Sequence, residues 1–476
     1  MGRRAALAAA LLGPPRGAVV VEASTGDVVD HATIMGRAAH VREVLLGQGL
    51  VAGALVCIDA VGATALLTAV LGVLLADAVP VCSADRRISA PWRVHIGVDV
   101  DDIAVTPTRD VRTSPLPVDA ALAVSTSGST GAPRVVLYGG DRLRAHIAAI
   151  AASLPRAMFT RLGIVLPLTS AYGLVGQLLT TTTTGGTAVL LHGVTGAAAQ
   201  LAQMTSNGVT GLASVSTHLR GLADVAIDMP LVDRPPLLAV GSAGGPLSLG
   251  VARRLKDAFP AATLFNQYGL TEAGPRVCVA GDDSPAFWRG SVGRPLPGVT
   301  VVIVDEDDHP CPAGRCGEVV VCSPWAMLGL LPTGERDAER PPSQHGVRTG
   351  DVGHLDDDGF LTLDGRLDDI ANVAGVRVAM LAVAARVQQV LEAAFCHIVA
   401  VADDVTGARL VALVPTSAVG TGRLPIAVVQ QFTAAERPAL LVGVDVLPTL
   451  PSGKLDRAQA RGIAEAAWSG RGVERV

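Results

Sequence analysis

The chain has 476 residues, 49% of them hydrophobic and 17% charged, with a net charge of −5. That balance excludes a disordered chain and a polybasic nucleic-acid binder, and the length suffices for more than one buried core. The 53 glycines and 30 prolines predict a loop-rich fold with many tight turns.

Met1–Gly13 carries Arg3 and Arg4 before an Ala/Leu run too short and too weakly hydrophobic for an export signal, so a ragged intracellular N-terminus is expected. Ala18–Val21 and Ala54–Ile58 read as strands. Met35–Leu46 reads as a helix with Ala38, Val41 and Leu45 on one face. Ala60–Ala76 is uncharged, but at 17 residues it is short for a membrane span and predicts a buried helix packed on a sheet. Val79–Cys82, Gly163–Leu166, Ala188–Leu191 and Leu237–Val240 read as further buried strands. Strands alternating with helices imply parallel sheet covered on both faces. The run Thr180–Thr184 suits a strand or a helix end and suggests no function. From about Gly290 the texture turns β-like, with strands Val299–Val304 and Glu318–Val321. After Arg366 it changes again. Ile398–Ala402 and Leu410–Val414 read as a hairpin around Asp403–Gly407, Ala427–Ala435 as helical, and Asp456–Ala467 as a closing helix.

Only Lys256 and Lys454 of the 38 basic residues are lysines, so a retained lysine is a clue to chemistry. The seven cysteines form no C-x-x-C pair, which speaks against a zinc ribbon and a secreted disulfide framework. A reducing, cytoplasmic setting is expected.

Four motifs carry chemistry. The first, Ser125–Arg134, follows the apolar run Ala120–Val124. Its small hydroxyl residues and glycines let backbone N–H groups close on phosphate oxygens, without the Walker A pattern. The second is Asn266-Gln267-Tyr268-Gly269-Leu270-Thr271-Glu272: an aromatic face for a base, a hydroxyl for a phosphate, a carboxylate for Mg²⁺. The third joins Arg348-Thr349-Gly350-Asp351 to Asp364-Gly365-Arg366, a carboxylate suited to ribose hydroxyls and a guanidinium suited to phosphate or ribose oxygen. The fourth, Leu447–Arg457, contains Ser452-Gly453-Lys454, a lysine on a loop where arginine is otherwise the rule.

In this order the four motifs resemble the adenylate-forming superfamily of acyl-CoA synthetases, peptide-synthetase adenylation domains and luciferases, over roughly Val19 to Ala467. Gly241–Leu247, Gly290–Gly298 and Gly317–Val321 resemble its connecting segments. The resemblance implies an α/β fold. A large N-terminal domain of stacked sheets and helices (residues 1–366), with a small β-barrel-like unit, precedes a small mobile α+β C-terminal domain (367–476) hinged near Asp368. It implies an AMP-forming acid–thiol ligase that uses ATP (or acyl-AMP), Mg²⁺ and CoA. In that scheme Ser127, Gly128, Ser129, Thr130, Gly131 and Arg134 hold the pyrophosphate end. Gly244, Gly245, Tyr268 and Gly269 serve the adenine side, Thr271 the α-phosphate, Glu272 the Mg²⁺, Asp351 the ribose, and Arg366 the ribose or phosphate. Lys454 bridges substrate carboxylate and nucleotide. Ser170, Tyr172, Ser214, Ser216 and Gly241 line the acid pocket.

The chain departs from the family pattern at Arg134, usually lysine, and at Val135, usually glycine where close approach or positive φ is wanted. It departs also at Ser170, Asn372, Met380, Ala382 and Ala384. Weakened adenylation is the expectation from Arg134 and Val135. The absence of an acidic residue in Leu166–Leu179 argues against an amino-acid substrate and favours a neutral, bulky carboxylic acid. Free CoA is the expected thiol, and a separate carrier protein the second choice. The rival readings are a half-enzyme that thioesterifies acyl-AMP supplied by a partner adenylating enzyme, and a non-catalytic acyl-nucleotide binding protein. Neither nucleic acid nor membrane is an expected partner.

Overall fold

Two large mixed sheets carry the first two thirds of the chain. The computed structural model describes residues 2–17, 19–60, 62–83, 90–96, 103–107, 116–125, 134–191, 194–331, 343–419, 430–449 and 455–470, with the backbone alone for Asp368 and Arg377. One sheet has seven strands in the order Gly329–Leu331, Val135–Gly139, Ala120–Ser125, Val79–Cys82, Leu55–Ala60, Trp92–Ile96 and Ile103–Pro107. The other has nine: Arg294–Pro295, Gly274–Gly281, Thr263–Leu270, Ala239–Ser242, Gly211–Ser214, Arg161–Ile164, Thr187–Leu190, Val20–Glu22 and Asp27–Val29. Central strands pair in parallel and edge pairs are antiparallel. Parallel strands covered by helices need apolar residues on both faces, and Val79–Cys82, Thr187–Leu190 and Gly211–Ser214 are buried throughout.

The main core draws residues from both sheets and from the helices between them, Arg3–Leu12, His31–Gly47, Ala63–Leu75 and Gly140–Ser153. Asp30 caps His31–Gly47 by accepting from Thr33 N–H at 2.7 Å, and Ile34, Ala38, Val41 and Leu45 form its buried stripe. That stripe meets Ala63–Leu75 at Gly72, where an added Cβ would stand 2.6 Å from Val41 Cβ. Ten of the 13 residues of Ala63–Leu75 are buried, which explains its hydrophobicity as core. No described helix is long and apolar enough to cross a membrane.

The N-terminus departs from expectation. Arg3–Leu12 is an ordered helix whose Leu7, Leu11 and Leu12 enter the main core. Arg4 donates to the carbonyls of Ala120 (2.6 Å), Asp77 (3.1 Å) and Val118 (3.2 Å). Arg16 donates to those of Leu12, Pro14, Thr182 and Gly186, each at 3.0 Å. The threonine run has a structural use here: Thr182 and Thr183 hydroxyls donate to Leu11 O at 2.6 and 3.1 Å and satisfy the open end of that helix. Ala171–Thr183 is itself one helical segment, with a π-helical stretch at Leu174–Leu179.

Beyond Gly290 an antiparallel four-stranded sheet runs Thr300–Val304, Gly317–Cys322, Val347–Leu355, Leu361–Arg366, matching the β-like texture of this region. The C-terminal part has the hairpin Ile370–Val373/Val376–Ala379 and the helix Met380–Val390. Its three-stranded sheet is His397–Asp403, Gly407–Pro415 and Leu440–Val444, and the closing helix is Arg457–Ser469. Its two hydrophobic clusters draw only on residues from Ala371 onward. Of the expected helix Ala427–Ala435, residues up to 429 lie outside the described ones. All seven cysteines are free thiols.

Candidate active site

The strand Thr263–Leu270, the turn after it and the returning strand Gly274–Gly281 organise the site. Tyr268 is buried, and its hydroxyl donates to Asp351 Oδ2 at 2.6 Å. Asp351 Oδ1 lies 3.2 Å from Arg366 Nη1, and Arg366 Nη2 reaches Thr349 O at 3.4 Å. Asp351 and Arg366 are cross-strand partners, so sheet register brings the two halves of the third motif together. The second and third motifs thus meet in one chain, Tyr268–Asp351–Arg366. Burial raises the carboxyl pKa of Asp351, while the Arg366 charge and the Tyr268 hydrogen bond pull it down. Burial, with Asp351 beside it, drives the Tyr268 phenol well above its usual value.

Thr271 and Glu272 occupy the turn. Tyr138 donates to Thr271 O at 2.6 Å, and Glu272 O accepts from Met327 N–H at 2.9 Å. Arg134 Nη2 lies 3.3 Å from Glu272 Oε1, joining the end of the first motif to the second. A carboxylate such as Glu272 fits Mg²⁺, which takes one or two carboxylates plus substrate phosphates.

Val135 overturns one expectation. It is a fully buried strand residue paired with Ser125 and Leu331, without positive φ, so its side chain fills core where a glycine would leave a void. Ser127, Gly128, Ser129, Thr130, Gly131 and Lys454 lie outside the described residues, as does the Asp368 side chain. Next to Asp368, buried Asp369 takes a two-point contact from Arg457, at 2.6 and 3.0 Å, which ties the closing helix to the start of the C-terminal part.

Gly244 and Gly245 lie exposed in the loop after Ala239–Ser242, at the carboxyl end of a parallel strand, where α/β sheets bind ligands. Gly269 packs on the backbone of Pro275 and Arg276, leaving no room for a side chain. Ser170 does not offer a free hydroxyl. It caps its own short helix, donating to Pro167 O at 2.8 Å and accepting from Gly173 N–H at 3.1 Å. Ser214 is fully buried with an unpartnered Oγ, and Ser216 opens the helix Ser216–Ile227. Tyr172 donates to Gln267 Oε1 at 3.0 Å, and Gln267 Nε2 fills the space beside Gly241.

The sequence reading missed Tyr138, Gln177, Gln267 and above all Arg276. Arg276 is the only charged residue in the strand Gly274–Gly281 and opens the apolar run Val277–Ala280, a visible signal outside the window searched for charge. His146 holds its backbone. His146 Nε2 is 3.0 Å from Arg276 O, an acceptor only, so that nitrogen carries the proton. The imidazole stacks on Trp325, and burial lowers its pKa to about 4. Gly274, at φ 106°, leaves room for this ring, which any Cβ there would strike.

The sequence profile of the family described as AMP-binding enzyme matches residues 57–331. The chain is similar to the 2-succinylbenzoate–CoA ligase of Bacillus velezensis, with 30% identity over 75% of this chain and 72% of that protein. It is similar also to the oxalate–CoA ligase of Saccharomyces cerevisiae, with 29% identity over 55% of this chain; that alignment spans about half, 47%, of the yeast protein. In structure it resembles the ATP-bound MatB of Rhodopseudomonas palustris with a TM-score of 0.80, over 98% of this chain and 99% of that one, at 20% identity.

Proposed function

The chain belongs to the AMP-binding enzyme family, and from that premise we propose that it joins a carboxylic acid to a thiol through an acyl adenylate. The observation that carries this reading is the chain Tyr268–Asp351–Arg366 set beside Thr271 and Glu272. It offers a charged acceptor for two ribose hydroxyls, a guanidinium and a magnesium-compatible carboxylate within one sheet junction.

In the first half-reaction the acid's carboxylate attacks the α-phosphorus of ATP and pyrophosphate leaves. The chain's task is to orient both reactants and to stabilise charge. Asp351 and Arg366 fix the ribose, and Thr271 contacts the α-phosphate. Ser127–Gly131 with Arg134 hold the leaving pyrophosphate, and Lys454 bridges the acid and the nucleotide. Glu272 would hold Mg²⁺, which supplies charge neutralisation at the phosphates. In the second half-reaction a thiol displaces AMP. Residues 367–476 form the lid, turning about Asp368. Free CoA is the proposed thiol, ahead of a carrier protein.

The test is product analysis by mass spectrometry with ATP and a panel of acids, with and without CoA. Acyl-AMP without CoA and acyl-CoA with it are expected. Thioester from synthetic acyl-AMP alone, with no adenylate from ATP, would favour the half-enzyme. The specific observation behind that second reading is the Arg134–Glu272 contact, which engages the magnesium carboxylate.

A further inference from the structure

Arg276 is 1% exposed, and its Nε and Nη1 have no hydrogen-bond partner. Among the described residues no carboxylate forms an ion pair with it. Its guanidinium carbon lies 5.4 Å from the Tyr172 ring centroid. Cation–π contact and a hydrogen bond with Tyr172 offset part of the cost of burying the charge, but Nε and Nη1 stay bare. Burial lowers the pKa of Arg276, and the nearby Tyr172 phenol opposes that shift. An arginine nevertheless keeps its proton in a protein, so the site holds an uncompensated cation.

The surroundings are built for a polar occupant. Gln267 Nε2 and Gln177 Oε1 are also buried without partners. The contacts close a ring. Gln177 Nε2 donates to Ala213 O at 2.8 Å, and Ala213 faces Gly241 on the next strand. Gly241 touches Gln267, which accepts from Tyr172, which lies under Arg276. Arg276 Nη2 in turn stands 3.8 Å from where a Cβ on Gly176 would be, beside Gln177. The two glycines let Gln267 and Tyr172 approach the backbone closely, and Gly176 and Gln177 belong to the π-helical stretch, a distortion frequent at functional sites. Gln267 and Tyr268, which holds Asp351, are successive residues of one strand.

We propose that this ring is the far end of the acid pocket and takes a second carboxylate of the substrate. The fork of Arg276 grips that carboxylate at two points, and the Gln267 amide adds a third donor. The substrate class is a dicarboxylic acid, which replaces the neutral acid suggested by the sequence. One carboxylate is activated and the other is the anchor. This inference rests on the adenylation reading above for the identity of the pocket.

The experiment compares acids with their isosteric half-amides: succinate with succinamate, and benzene-1,4-dicarboxylate with 4-carbamoylbenzoate. Two readouts are taken, ATP-dependent hydroxamate formation and thermal stabilisation of the protein by the acid alone. The dicarboxylate of at least one pair is expected to exceed its half-amide by ~10–100-fold, the worth of a charged hydrogen bond. Arg276→Met is expected to abolish that preference and Arg276→Lys to restore part of it. If either variant fails to fold, the wild-type pairs still decide. A wild type that treats both members alike, or prefers the half-amides, overturns the anion site and leaves acid activation standing. A wild type that activates no acid but is stabilised by dicarboxylates alone upholds the site and removes the activation reading. One that is inert and not stabilised overturns both.

Discussion

Tyr268→Phe removes one hydroxyl and keeps the ring. That hydroxyl stands 2.6 Å from Asp351 Oδ2, on a carboxylate whose side chain is 13% exposed and whose other oxygen faces Arg366. A hydrogen bond to a charged acceptor contributes ~1.5–3 kcal/mol. Arg366 remains in the variant, so the lower half of that range is expected at pH 8. With a urea slope of about 3 kcal/mol/M for a chain of this size, the midpoint falls by about 0.5 M. Fluorescence of Trp325, which shares a hydrophobic cluster with Tyr268, reports the transition. The pH dependence separates this cause from lost packing. Burial raises the Asp351 carboxyl, against the pull of Arg366 and Tyr268. A carboxyl raised in the fold binds its proton more tightly there than in the unfolded chain. Its contribution to stability is therefore present below the unfolded value and lost as pH rises through the folded value. Losing the hydroxyl raises the carboxyl further, so the variant falls furthest behind at alkaline pH. The gap between variant and wild type then narrows as pH falls and both carboxyls take up protons. An equal gap at pH 8 and pH 4.5, or no gap at all, refutes the reasoning.

Arg134→Lys shortens the side chain that reaches Glu272, and pyrophosphate exchange should rise by ~10–100-fold; brisk wild-type exchange unaltered by the substitution counts against a handicapped phosphate loop. Lys454→Ala should slow acyl-AMP formation by at least ~10²-fold, while thioester formation from synthetic acyl-AMP is largely spared; equal loss in both assays removes the assigned role. Arg16→Met removes a donor from four carbonyls and should cost ~2–4 kcal/mol in urea unfolding, with earlier proteolysis near the N-terminus; an unshifted midpoint makes that arginine dispensable.

What the sequence made legible follows from range. Strand–helix alternation is a local signal, and Val79–Cys82 emerged with the expected ends. The hairpin after His397 and the closing helix, capped by Asp456 on Gln459 N–H, are local signals too. Motif order also located Tyr268, Asp351, Arg366 and Glu272, but not the bonds joining them, since Tyr268 and Asp351 lie 83 positions apart. The errors share a cause. Val135 looked like a displaced loop glycine because one of its two strand partners, Leu331, comes from a distant segment. Arg3–Leu12 looked ragged because the groups that anchor it, around Ala120 and around Thr182, lie far downstream. Arg276 escaped because a charge inside an apolar run gains meaning only when its surroundings are known to hold no countercharge.

Those anchors bear on the order in which the protein is made. Arg16 leaves the ribosome 170 residues ahead of Gly186, whose carbonyl it must reach. At 5–20 residues per second that interval is roughly 10–35 s. Within it the helix Ala63–Leu75, on which Arg3–Leu12 chiefly packs, is already made, but the Thr182 and Thr183 hydroxyls that satisfy Leu11 O are not. Arg3–Leu12 thus gains the last of its contacts only once Thr180–Thr183 and Gly186 have been made. Slower translation would lengthen its exposure to chaperones, proteases and neighbouring nascent chains, without altering a single contact in the finished fold.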